Sequence, residues 1–326
     1  MEIQRSTFKH RHGNHPNGST RMEDKHFLAK ETENLIKQWE SYDQELLADY
    51  LVQSLQDPRI NPQSILARLH IADGIADGKL HDMAMEELAW AFDANRMLRE
   101  YEKEHGVSVH NLSAIKSDLP ENKLYQTLYK QLFDEQQKEW QARWVRELAP
   151  YAASARKPTV IEAACGAAND YRFLDAYGFG RAIRYKGFDL NAANVATAQK
   201  RHPEATFVRG NILDMDEADK SWDIMVIHDL FEHLHIDACR VAMKEAMRVT
   251  RDKIVISYFS MDEIEDHRIK PIKHYHWNTL SRVKMAQEWR DLGAQVESTH
   301  INSLASKYGF SEFHNERAYT FVVTPS

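Results

Sequence analysis

The run Thr159-Val160-Ile161-Glu162-Ala163-Ala164-Cys165-Gly166-Ala167-Ala168-Asn169-Asp170 constrains this chain most: a short apolar strand meets an acid, small residues follow, and a helix begins. Residues without bulky side chains let backbone amides at a helix N-terminus come close to a ligand at the carboxyl end of a strand. A chain with this turn is directed toward an open α/β sheet that holds a cofactor at its edge.

Three more predicted strands strengthen that reading. Residues 185–190 form a second predicted strand ending in Asp189 and Leu190, the acid lying 23 residues after Gly166. An acid at that interval suits a ribose diol. Residues 205–209 predict a third strand, followed by Gly210, Asn211 and Ile212, and residues 222–227 a fourth, followed by His228 and Asp229. Four strand tips in succession can line one crevice.

At these residues the chain resembles the class I S-adenosylmethionine-dependent methyltransferases, over about residues 155–326. That family's first motif is an acid followed by Gly-x-Gly-x-Gly; here the acid is Glu162 and the glycine positions hold Ala164, Gly166 and Ala168. Alanine keeps the small volume but disfavours positive φ, so a less tightly turned loop is expected. The resemblance implies that Asp189, with Leu190, binds the ribose, that Asn211 faces the adenine amino group with Ile212 against the ring, and that His228 lies beside the methionine moiety. It also implies a Rossmann-like, mostly parallel sheet of seven strands whose last two are antiparallel, with S-adenosylmethionine as cofactor and S-adenosylhomocysteine as product. A nicotinamide-binding unit shares the first two strands and the ribose acid. It requires Gly-x-Gly-x-x-Gly, and the run from Ala164 to Asn169 lacks the last glycine that close helix packing needs.

Residues 1–21 are nearly free of apolar side chains and read as a flexible tail; their histidines have no scaffold that would make a metal site. Residues 22–150 carry helical periodicity throughout, as in Trp39, Tyr42, Leu46, Leu47, Tyr50 and Leu51. Asn61-Pro62 carries the cap and first-turn proline of a second helix, Met85 to Leu98 mark a third, and Leu124 to Leu148 a long fourth. The expectation is an all-helical domain packed over the carboxyl edge as a lid that adds substrate contacts, with a homodimer face as the alternative, ahead of a catalytic domain at 151–326. The cluster Lys138, Arg143 and Arg146 is interleaved with Glu139 and Glu147 and reads as a solvated helix face.

With a net charge of −7 and a pI near 6.2, the chain has no general attraction for phosphate backbones, so nucleic acid is not an expected partner. No apolar run spans a bilayer, and two cysteines in different predicted elements fit a reducing, cytoplasmic setting.

After a predicted helix at 236–249 and a central fifth strand at 253–259, residues 260–278 form a long connection crowded with acids, His267, His274, Tyr275, His276 and Trp277. Methyl transfer needs an acceptor held in line with an electrophilic methyl group, exclusion of water and, for a hydroxyl or protonated amine, a proton acceptor. His228, with Asp229 to orient it, is the first candidate base; His274 and His276 are the others. No metal is expected: His228, Glu232, His233 and His235 do not have zinc-protease spacing. The function read from the sequence is methylation of oxygen or nitrogen on a small-molecule acceptor. A protein side-chain methyltransferase and a catalytically silent cofactor-binding protein are the alternatives.

Overall fold

The computed structural model describes residues 29–34, 61–106, 128, 130–272, 275–310 and 315–326. The expected tail at 1–21 and the helix carrying Trp39 to Leu51 lie outside them, as does His274.

Seven strands form one sheet: β1 Thr159–Ala163, β2 Arg184–Asp189, β3 Thr206–Arg209, β4 Trp222–His228, β5 Thr250–Tyr258, β6 Gln295–His300 and β7 Tyr319–Thr324. Their spatial order is β6-β7-β5-β4-β1-β2-β3. The pairs β1/β2, β2/β3, β1/β4 and β4/β5 are parallel, and β7 is antiparallel to both β5 and β6. The chain therefore leaves β1 in one direction and resumes at β4 in the other, opening a crevice at the carboxyl ends of those two strands.

Alternation along the central strands divides the core. Val160, Ile224 and Val226 point to one face, Ile161, Met225 and Ile227 to the other. The second face is covered by α-helices at Ile236–Val249 and Arg282–Asp291, which bring Cys239, Met243, Met285 and Trp289.

The first face is covered largely by helices from before the sheet: α1 Pro62–Ala76, α2 His81–His105 and α3 Lys138–Ala152. α1 begins where the Asn61-Pro62 pair predicts, with the Asn61 side chain accepting from the Gln63 amide at 2.9 Å. Gln63 donates to the Tyr258 and Tyr319 carbonyls, while a Cβ on Gly74 would lie 3.0 Å from Ile224. α1 thus runs from the carboxyl edge down across the sheet, buried on nearly every side between the strands and α2. Its Ile65, Leu69 and Ile71 share one apolar cluster with Val160, Val226, Phe92, Trp144 and Phe179. The boundary expected near residue 150 therefore separates no second core. Among the described residues, the helices at 62–106 and 138–152 form a layer of the sheet domain, and the first turn of α1 reaches its carboxyl edge.

Lys138, Arg143 and Arg146 lie on the outer side of α3, in exposed pairs with Asp134, Glu86 and Glu147. This is the solvated face the charge pattern predicts.

Candidate active site

The loop between β1 and helix α4, Asn169–Ala176, makes the turn that a close backbone approach requires. Ala164, Gly166 and Ala168 have φ of 56°, 54° and 68°. The looser loop expected from the two alanines is not formed: both adopt the left-handed conformation that glycine would, at about 1 to 2 kcal/mol each. Surrounding bonds hold them there. The Cys165 amide donates to the Phe188 carbonyl at 3.1 Å, and Arg201 donates to the Ala167 carbonyl at 3.1 Å. A Cβ on Gly166 would meet no atom within 4 Å, so the loop faces open space there.

Asp189 ends β2 beside this loop. One carboxylate oxygen accepts from the Gly166 amide at 3.0 Å, the other from the Asn191 amide at 2.8 Å and more distantly from Asn194. A carboxylate has about four acceptor positions, so capacity remains for a ribose hydroxyl. Burial pushes the Asp189 carboxyl upward in pKa against these bonds. Leu190 follows it, its carbonyl held by Arg209.

At the tip of β3, Ile212 is buried and the Asn211 side-chain oxygen accepts from the Leu213 amide at 3.0 Å. The Asn211 side-chain amide donates to the Thr32 hydroxyl at 2.8 Å, so the helical residues 29–34 lie against this tip. Glu162 is buried on β1 and accepts from the Tyr185 hydroxyl at 2.5 Å. Burial, reinforced by the nearby Asp170 charge, pushes its carboxyl up to about 8.

His228, at the tip of β4, pairs with Asp170 in the first turn of α4 at 2.6 Å, not with the Asp229 that follows it. Asp229 is exposed, at a strained φ of 48°. Burial lowers the imidazole pKa, but Asp170 outweighs it and raises it to about 9. A pKa raised in this way favours the protonated imidazole, which donates. Its Nε2 is buried without a hydrogen-bond partner and faces a small cavity with Arg68 and Ile71 of α1. The signal available in sequence was an acid in the first turn after the loop, where a helix N-terminus favours one.

This pair makes stability depend on pH. An imidazole raised from 6.5 to about 9 stabilises the fold fully below 6.5 and loses that contribution as pH rises through 9. The stabilisation of wild type over Asp170→Asn in urea unfolding is expected to shrink by about 2 to 3 kcal/mol between about pH 6 and about pH 9.5. An equal gap at both pH values would show that the pair does not control the imidazole's proton.

Around β4 and β5 the edge is aromatic. Glu232 is buried and accepts from the Phe259 and Ser260 amides at 2.7 and 3.1 Å, which commits it to the backbone of that tip. The rings of His233, Phe259 and Trp277 contact one another with centroids 5.2 to 5.3 Å apart. His233 Nδ1 lies 3.2 Å from the His276 carbonyl, and the His276 ring lies 5.4 Å from His235. Burial holds both His233 and His276 below the ordinary imidazole pKa. The structure brings His228 and His276 to the same edge. It also brings Phe259 and His233, which sequence spacing did not single out as a pair. Among the described residues, the group able to hold a metal by proximity is Asp175, His202 and Glu204, near the start of β3 and away from these tips.

The strand order, the turned loop and the acid on β2 make a Rossmann-like sheet, and comparison with known proteins finds methyltransferases similar to it. Residues 160–253 match the model of a methyltransferase domain family. The chain is 28% identical over 146 residues to a Mycolicibacterium smegmatis protein named "Probable S-adenosylmethionine-dependent methyltransferase", covering 43% of this chain and 53% of that one. It therefore spans about half the length of that relative. Solved structures similar to it include the PH0226 protein of Pyrococcus horikoshii, at 17% identity over 63% of this chain and 99% of the other, with a TM-score of 0.40. Another is the 1,6-didemethyltoxoflavin-N1-methyltransferase of Burkholderia thailandensis, at 16% identity over 68% and 91%, with a TM-score of 0.41; that enzyme was solved with 1,6-didemethyltoxoflavin and S-adenosylhomocysteine bound. No helix among the described residues is long and apolar enough to cross a membrane.

Proposed function

We propose that this chain binds S-adenosylmethionine across the tips of β1, β2 and β3 and transfers its methyl group to an oxygen or nitrogen of a small molecule that enters beside β4 and β5. The observation that carries this reading is the Asp189 carboxylate bonded to the Gly166 amide, because it puts the acid of β2 and the open cradle of the loop in one site. When bound, the cofactor supplies a sulfonium-activated methyl group. Asp189 and Leu190 hold the ribose, Asn211 and Ile212 the adenine, and Glu162, Ala164 and Gly166 border the methionine end. His228, cationic through Asp170, serves as a fixed donor there, which leaves proton acceptance to the neutral imidazoles of the other flank. The silent-protein alternative drew on the two alanines of the loop, and the loop keeps its turn despite them.

Calorimetric titration with S-adenosylhomocysteine tests the cofactor site. Asp189→Ala removes a buried acceptor and is expected to weaken binding about 10- to 100-fold. Equal affinities for variant and wild type would remove Asp189 from the site and the cofactor placement with it.

A further inference from the structure

The side-chain amide of Asn211 is anchored at both ends. Its oxygen accepts from the Leu213 amide at 3.0 Å, and its nitrogen donates to the Thr32 hydroxyl at 2.8 Å. The first bond decides which end is oxygen, because a backbone N–H turned toward the NH₂ group would meet no acceptor. The second holds the amide against rotation. Thr32 belongs to the helical residues 29–34, so a side chain from outside the sheet fixes one at the tip of β3. Thr32 and Glu31 are half-buried, and Glu31 accepts from the Asn34 side chain at 3.3 Å. The segment also bears on the other flank of the crevice: burial and His235 hold the His276 imidazole low, and the Glu31 charge acts against them.

We propose that Thr32 is a positioning residue whose hydroxyl locks the Asn211 amide for adenine and thereby sets the base specificity of the cofactor site. This rests on the cofactor placement proposed above and adds to it a residue from outside the sheet. A primary amide has two N–H donors and two lone pairs on oxygen, so Asn211 keeps one of each beyond its two anchors. Those complement the ring nitrogen and the amino group along one edge of adenine. On hypoxanthine a carbonyl oxygen replaces the amino group and the adjacent ring nitrogen carries a proton, so donor and acceptor are exchanged. A free amide would turn over to meet that edge, whereas turning this one breaks both anchors. A site whose polar groups are fixed for one partner rejects the mismatched one, since its own groups are then left unpaired.

The test is calorimetric titration of full-length protein with S-adenosylhomocysteine and with S-inosylhomocysteine, the analogue that carries hypoxanthine. Wild type is expected to prefer the adenine compound by at least about 10-fold. Thr32→Val, close in shape but without the hydroxyl, should lower that preference about 5-fold, and Thr32→Ser should restore it. In an Asn211→Ala background, where no amide is left to hold, Thr32→Val should change neither affinity. The readout is a ratio of two ligands on one folded protein, so partial unfolding of a variant leaves it unmoved. A preference unchanged in Thr32→Val, or a loss that persists in the Asn211→Ala background, overturns the positioning role. Equal binding of the two compounds by wild type overturns the base specificity. Absence of S-adenosylhomocysteine binding by wild type instead refutes the cofactor assignment, and this inference falls with it.

Discussion

A chain beginning at Tyr151 is expected to be insoluble or molten rather than a minimal methyltransferase, because it removes one layer of the sheet domain. Val160, Ile224, Val226 and Phe179 would lose α1, α2 and α3 as their cover. Burial of one large apolar side chain contributes about 1.5 to 3 kcal/mol. Ile65, Leu69, Ile71, Leu88, Phe92, Leu98 and Trp144 are each nearly or fully buried. A handful of these already equals the roughly 5 to 15 kcal/mol of net stability that a domain has. The truncated chain should bind a hydrophobic dye and melt without a cooperative transition. A soluble fragment with a sharp transition and intact S-adenosylhomocysteine affinity would show that 62–150 is a separable lid after all.

The contrast between what the sequence displays and what it conceals comes from distance along the chain. The strand tips were legible because Glu162, Gly166, Asp189, Asn211 and His228 each sit where an apolar run meets a turn, a local pattern. The sheet order followed from their spacing through the resemblance. The place of α1 was not legible, because an all-round buried helix looks the same whether it fills a helical bundle or lies on a sheet; Gln63 reaching Tyr258 and Tyr319, and Gly74 lying close against Ile224, distinguish the two. The partner of His228 was misplaced for a related reason. Asp229 is adjacent in sequence, but consecutive residues at a strand end diverge, whereas the first turn of the helix after β1 lies against the tip of β4. The loop shows tertiary bonds overriding a local conformational preference at Ala164 and Ala168.

The same helical layer holds a charge whose removal should cost nearly as much as any single substitution can. Glu87 on α2 is fully buried; one oxygen accepts from Arg68 of α1 at 2.5 Å and the other from the Trp144 indole at 2.6 Å. Arg68 is itself buried, its guanidinium 3.9 Å from the centre of the Tyr177 ring. Glu87→Ala strands that guanidinium without a counterion and the indole without an acceptor, and is expected to cost about 3 to 5 kcal/mol in urea unfolding. Glu87→Gln should cost less, since its carbonyl oxygen can still accept from Trp144. The double change Arg68→Met with Glu87→Gln should recover most of the loss, because a buried pair owes much of its apparent worth to the penalty of breaking it. Arg68 also faces the cavity that His228 lines and helps hold Asp170 ionised. That double variant should therefore regain stability while Asp170 becomes easier to protonate, detectable as an upward shift in its carboxyl titration by NMR. A loss below about 1 kcal/mol for Glu87→Ala would mean that Arg68 finds water or another acceptor, and that the layer does not depend on this ion pair.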